Sequence, residues 1–328
     1  VELFYLLLGI FLLAVGILDF LWTTLWVDGG VGPLTKRMAS ITWKILKRLT
    51  KKVPTILSLS GPLILTLTIT IWVLLIWMGW TFVYAGSGTS ITDTTDNQPI
   101  SWVERIYYTG YTIITLGNGE YTPKEGGWQI ASILASGTGM LLITMSVTYI
   151  LSVINSVTQQ RSFADSVTAM GESGVEIVKN SWKRKDFRNA DLLMNSFASQ
   201  LSSLADQKMA YPILQYYYSE NSRKAIAPAL ARLDDAVTIW QFGIPEESVP
   251  NQLLLQQVRS GIVSYLDTFE ENVGNASDDS PPSIDLVEIQ TAHLPVVSLE
   301  AFEEEVAALE DHRRKLLQLV QEEDREWP

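Results

Sequence analysis

Three long apolar runs limit what this chain can fold into. They are Leu3 to Trp26, with Asp19 its one charge, and Ile56 to Ala85 and Trp128 to Val157, with no charge at all. At about 1.5 Å of rise per residue, each run is long enough for a hydrocarbon core of about 30 Å. Backbone N–H and C=O groups find no water in that core, so each run must satisfy them internally as a helix. The third run exceeds the bilayer thickness and should tilt or project beyond it. The first lacks a basic leader region and a small-residue cleavage site, so it reads as a retained span and not as a signal peptide.

Charge orients the spans. Lys36, Arg37, Lys44, Lys47, Arg48, Lys51 and Lys52 lie between spans one and two, and basic loops stay on the cytoplasmic side. That puts the N-terminus outside, residues 86–127 outside and the C-terminal part inside, with Arg161 just after span three in agreement. In the basic loop, Leu34, Met38, Ile41, Ile45, Leu49 and Val53 recur every three or four residues. This predicts an amphipathic helix on the inner membrane surface, with membrane lipid as its partner. Trp72, Trp77, Trp80 and Tyr84, and likewise Trp22 and Trp26, read as interfacial aromatic belts. Asp19 is expected to pair with a basic residue of the surface helix.

The net charge of −12 is unevenly shared. Residues 1–160 are nearly neutral, and the acidic excess lies beyond them, which excludes nucleic acid as a partner. With no cysteine, disulfides, zinc-thiolate sites and iron–sulfur clusters are excluded. His293 and His312 are too far apart in sequence to suggest a histidine metal site. No catalytic constellation is present, so the chain does not read as an enzyme, and no cofactor is implied.

Between spans two and three, residues 86–100 are polar and read as a surface loop. Ser101 to Ile114 is too apolar for such a loop and too short to span. Ser101 and Glu104 have the spacing of a capping box, so a short re-entrant helix fits. Thr115-Leu116-Gly117-Asn118-Gly119-Glu120 follows. Alternate glycines allow backbone conformations barred to other residues. Such a strand can turn successive carbonyls toward one axis, where four copies would replace the hydration shell of a cation.

Span, short helix, Thr-x-Gly-x-Gly-acid, span resembles the pore module of the potassium-channel superfamily, in a prokaryotic arrangement with an extra N-terminal helix. The resemblance covers about residues 62–157. It implies a homotetramer in the plasma membrane that passes monovalent cations, K⁺ above all. The carbonyls of Thr115, Leu116, Gly117 and Asn118 and the Thr115 hydroxyl would line the ion sites, Gly119 would close the filter, and Glu120 would ring the outer mouth. Asp93 and Asp96 are secondary candidates there. Two positions depart from the family pattern. Asn118 stands where the family has Tyr, and Glu120 where it has Asp. Without the Tyr ring the filter could be wider and pass Na⁺ as well, unless Tyr107, Tyr108 and Tyr111 fill the space. A non-conducting membrane sensor or scaffold is the alternative from another class. In span three, Gly137 and Gly139 are candidates for a gating hinge or for close helix packing, and Thr144, Thr148 and Leu151 for the inner cavity. No span repeats arginine, so no voltage sensor of the usual type is expected.

The fold class is therefore an all-α membrane protein: three transmembrane helices, a re-entrant pore helix with its filter, and a cytoplasmic helical domain, around a homotetrameric pore. The segments are residues 1–27, an N-terminal span; 28–60, the basic interfacial segment; 61–160, the pore domain; 161–274, the cytoplasmic domain; and 275–328, an acidic linker and C-terminal helix. In the cytoplasmic part, the apolar stripes Leu192/Leu193/Phe197/Leu201/Leu204, Ile226/Leu230/Leu233/Val237/Trp240 and Leu253/Leu254/Val258/Ile262/Tyr265/Leu266/Phe269 read as helix faces turned to a core. No nucleotide-binding or calcium-binding motif occurs there, which leaves assembly or gating as its role and no regulatory ligand named. Tyr211 to Tyr218 is either aromatic core or a partner surface. Asp234-Asp235 reads as a solvated helix face. Asn275-Ala276-Ser277 fits a glycosylation sequon on the wrong side of the membrane. Ser298 should cap a last helix that either forms a tetrameric coiled coil or folds back on the domain.

Overall fold

The computed structural model describes residues 1–27, 30–49, 54–95, 98–182, 186–273 and 277–328. Lys51, Lys52, Val53, Asp96 and the first two residues of the sequon, Asn275 and Ala276, lie outside the described residues. The chain forms two compact units. Unit 1 comprises Val1–Lys51, Ser60–Ile154 and a short return, Tyr211–Tyr216. Unit 2 comprises Lys52–Leu59, Asn155–Ala210 and Tyr217–Pro328.

Unit 1 is built on α1 (Glu2–Leu25), α2 (Pro33–Leu49), α3 (Ser60–Ala85), α4 (Trp102–Ile113) and α5 (Gly127–Thr168), the last of which continues into unit 2. Among the described residues, three stretches of helix are long and apolar enough to cross a membrane, Glu2–Leu25, Leu57–Ala85 and Gly127–Thr168. Against α3, α1 packs through small residues: a Cβ on Gly9 would overlap the Val83 backbone, and one on Gly79 would overlap Leu13. Small residues let helices in lipid approach closely, since apolar burial gives little driving force there. On α2, Ile41, Ile45 and Leu49 of the predicted stripe are exposed.

Asp19 has a different partner from the one its sequence context suggests. Its carboxylate caps the start of α2, accepting from the backbone N–H of Leu34 at 2.8 Å and of Thr35 at 3.3 Å. It also accepts from the Thr35 hydroxyl at 2.5 Å and the Trp72 indole at 3.0 Å. The basic residues of α2 are therefore not needed: the orphan N–H groups and positive dipole end of the helix supply the complement to a buried carboxylate. The tryptophans of α3 are likewise not a belt. Trp72, Trp80 and Tyr84 are buried. The indole of Trp77 donates to the Ile106 carbonyl and that of Trp80 to the Thr138 hydroxyl. Away from water each indole N–H needs an acceptor, and here the acceptor lies on a neighbouring helix. Trp22 and Trp26 are exposed.

The aromatic segment after residue 210 belongs to unit 1, with Pro212, Ile213 and Leu214 buried. Its Tyr211 ring lies 5.9 Å from that of Tyr149, and its Tyr216 ring 5.6 Å from that of Trp43. The Ser60 hydroxyl donates to the Tyr216 carbonyl at 2.6 Å.

In unit 2, the end of α5 is followed by α6 (Gly174–Ser181), α7 (Arg188–Ala210), α8 (Ile226–Thr238), α9 (Gln252–Val273), α10 (Leu286–Thr291), α11 (Leu299–Ala308) and α12 (Glu310–Glu322). One core joins Phe163, Phe197, Leu230, Trp240, Ile262, Phe302 and Val320. Two stripes are shifted by a residue or two. On α7 the buried face is Ala190, Met194, Phe197, Leu201 and Leu204, while Leu192 and Leu193 are exposed. On α9 it starts at Leu255, and Leu253 is exposed. The side chain of Phe269 lies outside the described residues.

Asp234 and Asp235 are buried, not solvated. From Ala227 to Thr238 every residue of α8 is buried, so it has no solvated face to carry them. Asp234 is paired with Arg259 at 2.5 Å and with His312 at 2.9 Å. Asp235 accepts from Arg313 at 3.1 Å and from the Trp327 indole at 2.9 Å. The partners His312, Arg313 and Trp327 come from the C-terminal end, whose apolar residues Leu316, Leu319 and Val320 enter the core. The last helix therefore folds back, and it is split at Leu309 into α11 and α12. Arg313 interrupts the apolar stripe because its guanidinium is the counter-charge to Asp235.

Two predictions follow from these contacts. Asp19→Ala leaves two α2 amides, the Thr35 hydroxyl and the Trp72 indole without their acceptor, at about 1–3 kcal/mol for a buried group so orphaned. We expect a lower thermal midpoint in detergent and faster tryptic cleavage at Lys36 and Arg37. A cleavage rate unchanged from the native chain would contradict the capping role.

The second prediction concerns pH. Burial pushes the Asp235 carboxyl up to about 7 despite Arg313, and pushes Glu323 up to about 7 despite Arg325 and Lys208. A carboxyl raised in the fold contributes stability that is fully present below its unfolded value and is lost as pH rises through the folded one. The thermal midpoint of unit 2 should therefore fall as pH is raised from about 5 to about 8. The double variant Asp235→Asn, Glu323→Gln should flatten that slope, which differential scanning fluorimetry of the full chain reads directly.

Candidate ion-filter site

The site begins at the short helix. Ser101 caps α4: its hydroxyl accepts from the Glu104 N–H at 3.3 Å while the Glu104 carboxylate accepts from the Ser101 N–H at 2.6 Å. This closes the capping box. With 12 residues, α4 is about 18 Å long and cannot cross a bilayer. The helix ends against α5, where the Ser136 hydroxyl donates to the Thr112 carbonyl at 2.9 Å. A Cβ on Gly139 would overlap the Ile113 carbonyl, so Gly139 lets the backbones of α5 and α4 approach closely at that point. Gly137 has no protein atom within 4 Å of such a Cβ. Of the two hinge candidates, one is thus explained by packing and the other is not.

Beyond α4 the chain leaves helical geometry. Thr115, Gly117 and Gly119 have φ of 58°, 62° and 80°, and Leu116 and Asn118 between them are not in the positive region. Alternating φ sign can turn successive peptide planes the same way, as in the N–H nests that bind anions. Neither Gly117 nor Gly119 has an atom within 4 Å of an added Cβ. Their glycines are required by backbone conformation and not by crowding. Thr115 adopts the left-handed region with a branched side chain, a conformation that costs of order 1–3 kcal/mol and persists only where the surroundings impose it. The C-terminus of α4, the negative end of its dipole, directly precedes this residue.

The three tyrosines of α4 each anchor a different piece of the surroundings. Tyr107 accepts a hydrogen bond from the Asn118 side-chain amide. The Tyr108 hydroxyl bonds to that of Ser132 on α5 at 2.6 Å. The Tyr111 hydroxyl donates to the Tyr121 carbonyl at 2.6 Å. Asn118 is thus tied to the short helix by a side-chain hydrogen bond.

Residues 86–100, read from sequence as a surface loop, contain a strand. Ile91–Asp93 (β1) pairs antiparallel with Tyr121–Pro123 (β2), Asp93 opposite Tyr121. The Asp93 carboxylate accepts from the Thr95 N–H at 2.7 Å. Thr94 meets the end of the glycine strand through backbone and hydroxyl. Three-residue strands are below what alternation can signal, so Thr94 was not legible, nor were Ser132, Ser136 and Thr138 on α5.

Thr115 to Glu120 are all exposed in the protomer, as is Ile114. On α5, Met140, Leu141, Val147, Leu151 and Ile154 are exposed, together with Thr144 and Thr148. Much of the apolar surface around the site therefore has no cover within one chain.

A family model described as "Ion channel" matches residues 63–156, from the third residue past Ser60 on α3 through the glycine strand to α5. An uncharacterized membrane protein of Bacillus subtilis (strain 168), YdjJ, is 40% identical over 324 residues, 99% of this chain and 95% of that protein. No solved structure matches. The helix, short helix, glycine strand and helix that form the site thus coincide with the stretch that the ion-channel model recognises, and the chain as a whole belongs to one family with the Bacillus subtilis membrane protein.

Proposed function

We propose that four identical chains enclose one passive pore for monovalent cations, with K⁺ favoured over Na⁺, in the plasma membrane. The alternating φ of Thr115 to Gly119 carries this reading. A pore of bare carbonyls needs consecutive oxygens on one side of the strand, and alternate left-handed residues supply that orientation. One copy gives one wall, and the exposed apolar residues of α4 and α5 are the surface that three further copies would cover. In this assembly the carbonyls of Thr115, Leu116, Gly117 and Asn118 and the Thr115 hydroxyl replace the water of the ion. Glu120 at the mouth concentrates cations. The re-entrant placement of α4, with the N-terminus outside and unit 2 in the cytoplasm, follows from the basic loop that includes α2. Unit 2 then serves assembly or the gate.

One observation favours a second reading, a pore that passes Na⁺ and K⁺ alike. Asn118 reaches Tyr107 by hydrogen bond and offers no ring to fix the filter width. Flux from liposomes containing the purified chain decides between them. K⁺ flux far above Na⁺ is the expected result. Similar fluxes that turn K⁺-selective in Asn118→Tyr would establish the non-selective pore. No flux in either form would leave a non-conducting membrane scaffold. Gly117→Ala provides a separate check. The substituted carbon meets no protein atom in the protomer, so the variant should fold, yet it disfavours the left-handed backbone by roughly 1–2 kcal/mol. We expect its flux to fall by tenfold or more with an unchanged circular dichroism spectrum.

A further inference from the structure

Thr94 makes three contacts with the outer end of the glycine strand. Its N–H donates to the Glu120 carbonyl at 3.0 Å. Its hydroxyl lies 2.9 Å from the same carbonyl and 3.2 Å from that of Gly119. A threonine hydroxyl has one proton to give. The proton is shared between the two carbonyls, the nearer being Glu120. Glu120 also receives the backbone N–H, so of the two it is Gly119 that loses its only contact with Thr94 when the hydroxyl is removed.

The hydroxyl is held in place from both sides. β1 pairs with β2 directly beside these contacts, with Asp93 opposite Tyr121 and Ile91 opposite Pro123. The Lys124 N–H donates to the Ser90 carbonyl at 3.0 Å. From the other side, Tyr111 holds the Tyr121 carbonyl at 2.6 Å. Residues 90–94 and 120–124 thus form one small braced element, and Gly119 is the last residue of the glycine strand before it.

We infer that Thr94 is a positioning residue that fixes where the filter's row of carbonyls ends, by drawing the Gly119 oxygen back toward its own protomer. This rests on the reading of Thr115 to Gly119 as an ion filter. A pore axis shared between copies lies outside any one of them. A carbonyl bonded to a threonine of its own chain is turned from that axis, and its oxygen is partly neutralised by the donor. The filter then offers carbonyl rings through Asn118 and stops. Its outermost station is left to the Glu120 carboxylates and water, and a further carbonyl ring there would add to the hold of that station on a cation.

The test compares Thr94→Val, which keeps the shape and removes the donor, with Thr94→Ser, which keeps the donor. Thr94 is exposed, so neither change disturbs the core. The measurement is the external K⁺ concentration that half-saturates flux into liposomes, with the thermal midpoint as a control for folding. Releasing one hydrogen bond per chain should lower that concentration in Thr94→Val by roughly threefold to tenfold, with Thr94→Ser staying at the native value. An unchanged or higher value in Thr94→Val would overturn the inference, as would an equal shift in both variants. The native chain separates the two failures. If it conducts and Thr94→Val matches it, the positioning role alone is lost. If it passes no ion, the filter reading falls and takes this inference with it.

Discussion

A backbone that bares its carbonyls cannot also be a helix or a strand, and the bracing around Thr115 to Asn118 follows from that conflict. Regular structure consumes each carbonyl in a hydrogen bond. A stretch that keeps them free loses that bonding, and at Thr115 adds the strain of φ 58°. Such a conformation lasts only where its flanks impose it. The flanks here are short and heavily bonded. One is the last turn of α4, with the Thr112 carbonyl fixed to Ser136. The other is the two-stranded element of β1 and β2, fixed to α4 through Tyr111. The strained backbone spans two braced ends.

The bracing uses polar side chains to a degree unusual for apolar helices. Trp72, Trp77 and Trp80 on α3 each spend an indole N–H on a different part of unit 1: Asp19 on α1, the Ile106 carbonyl on α4 and Thr138 on α5. Tyr108 and Tyr84 both reach Ser132. Where lipid is the solvent, apolar contact alone does not choose between one helix register and another, because a slipped helix meets equally apolar lipid. A buried donor with one acceptor within reach does choose, since the alternative is an unsatisfied group. The indoles thus fix the distances that the short helix and the glycine strand require.

The parts that sequence made legible are those whose signal is local. The three spans follow from length and charge, the start of α4 from Ser101 and Glu104, and the glycine strand from its own spacing. What was not legible depends on partners far away in the chain. Asp19 meets Trp72 across 53 residues, and Asp235 meets Arg313 across 78. In both cases the residue type predicts that a buried carboxylate needs a partner but not which one. The assumption that a charge lies on a solvated face fails for α8 because that helix is enclosed on all sides. The tryptophans of α3 were misplaced for a related reason. Position near a span's end suggests an interface, whereas the direction of each ring is set by the helix opposite it.

On the proposed reading of Thr115 to Gly119 as an ion filter, Asn118 shows why the chemistry of such a site cannot be read from one residue at a time. A tyrosine at that position would resist narrowing through bulk. An asparagine is too short to do so, and the bulk lies instead on α4, in Tyr107. The bond between them is directional, so it restrains the orientation of the Asn118 peptide as well as its distance from the helix. Packing resists compression steeply and extension weakly, while a hydrogen bond loses energy with departure in either direction. The two designs therefore stiffen different motions. Ring packing sets a minimum radius, and the amide–phenol bond sets an angle. A filter held by angle keeps its carbonyls aimed even when its radius fluctuates. In that case discrimination between cations rests on the number and direction of oxygens offered, and on where their row ends, more than on the diameter of a rigid ring.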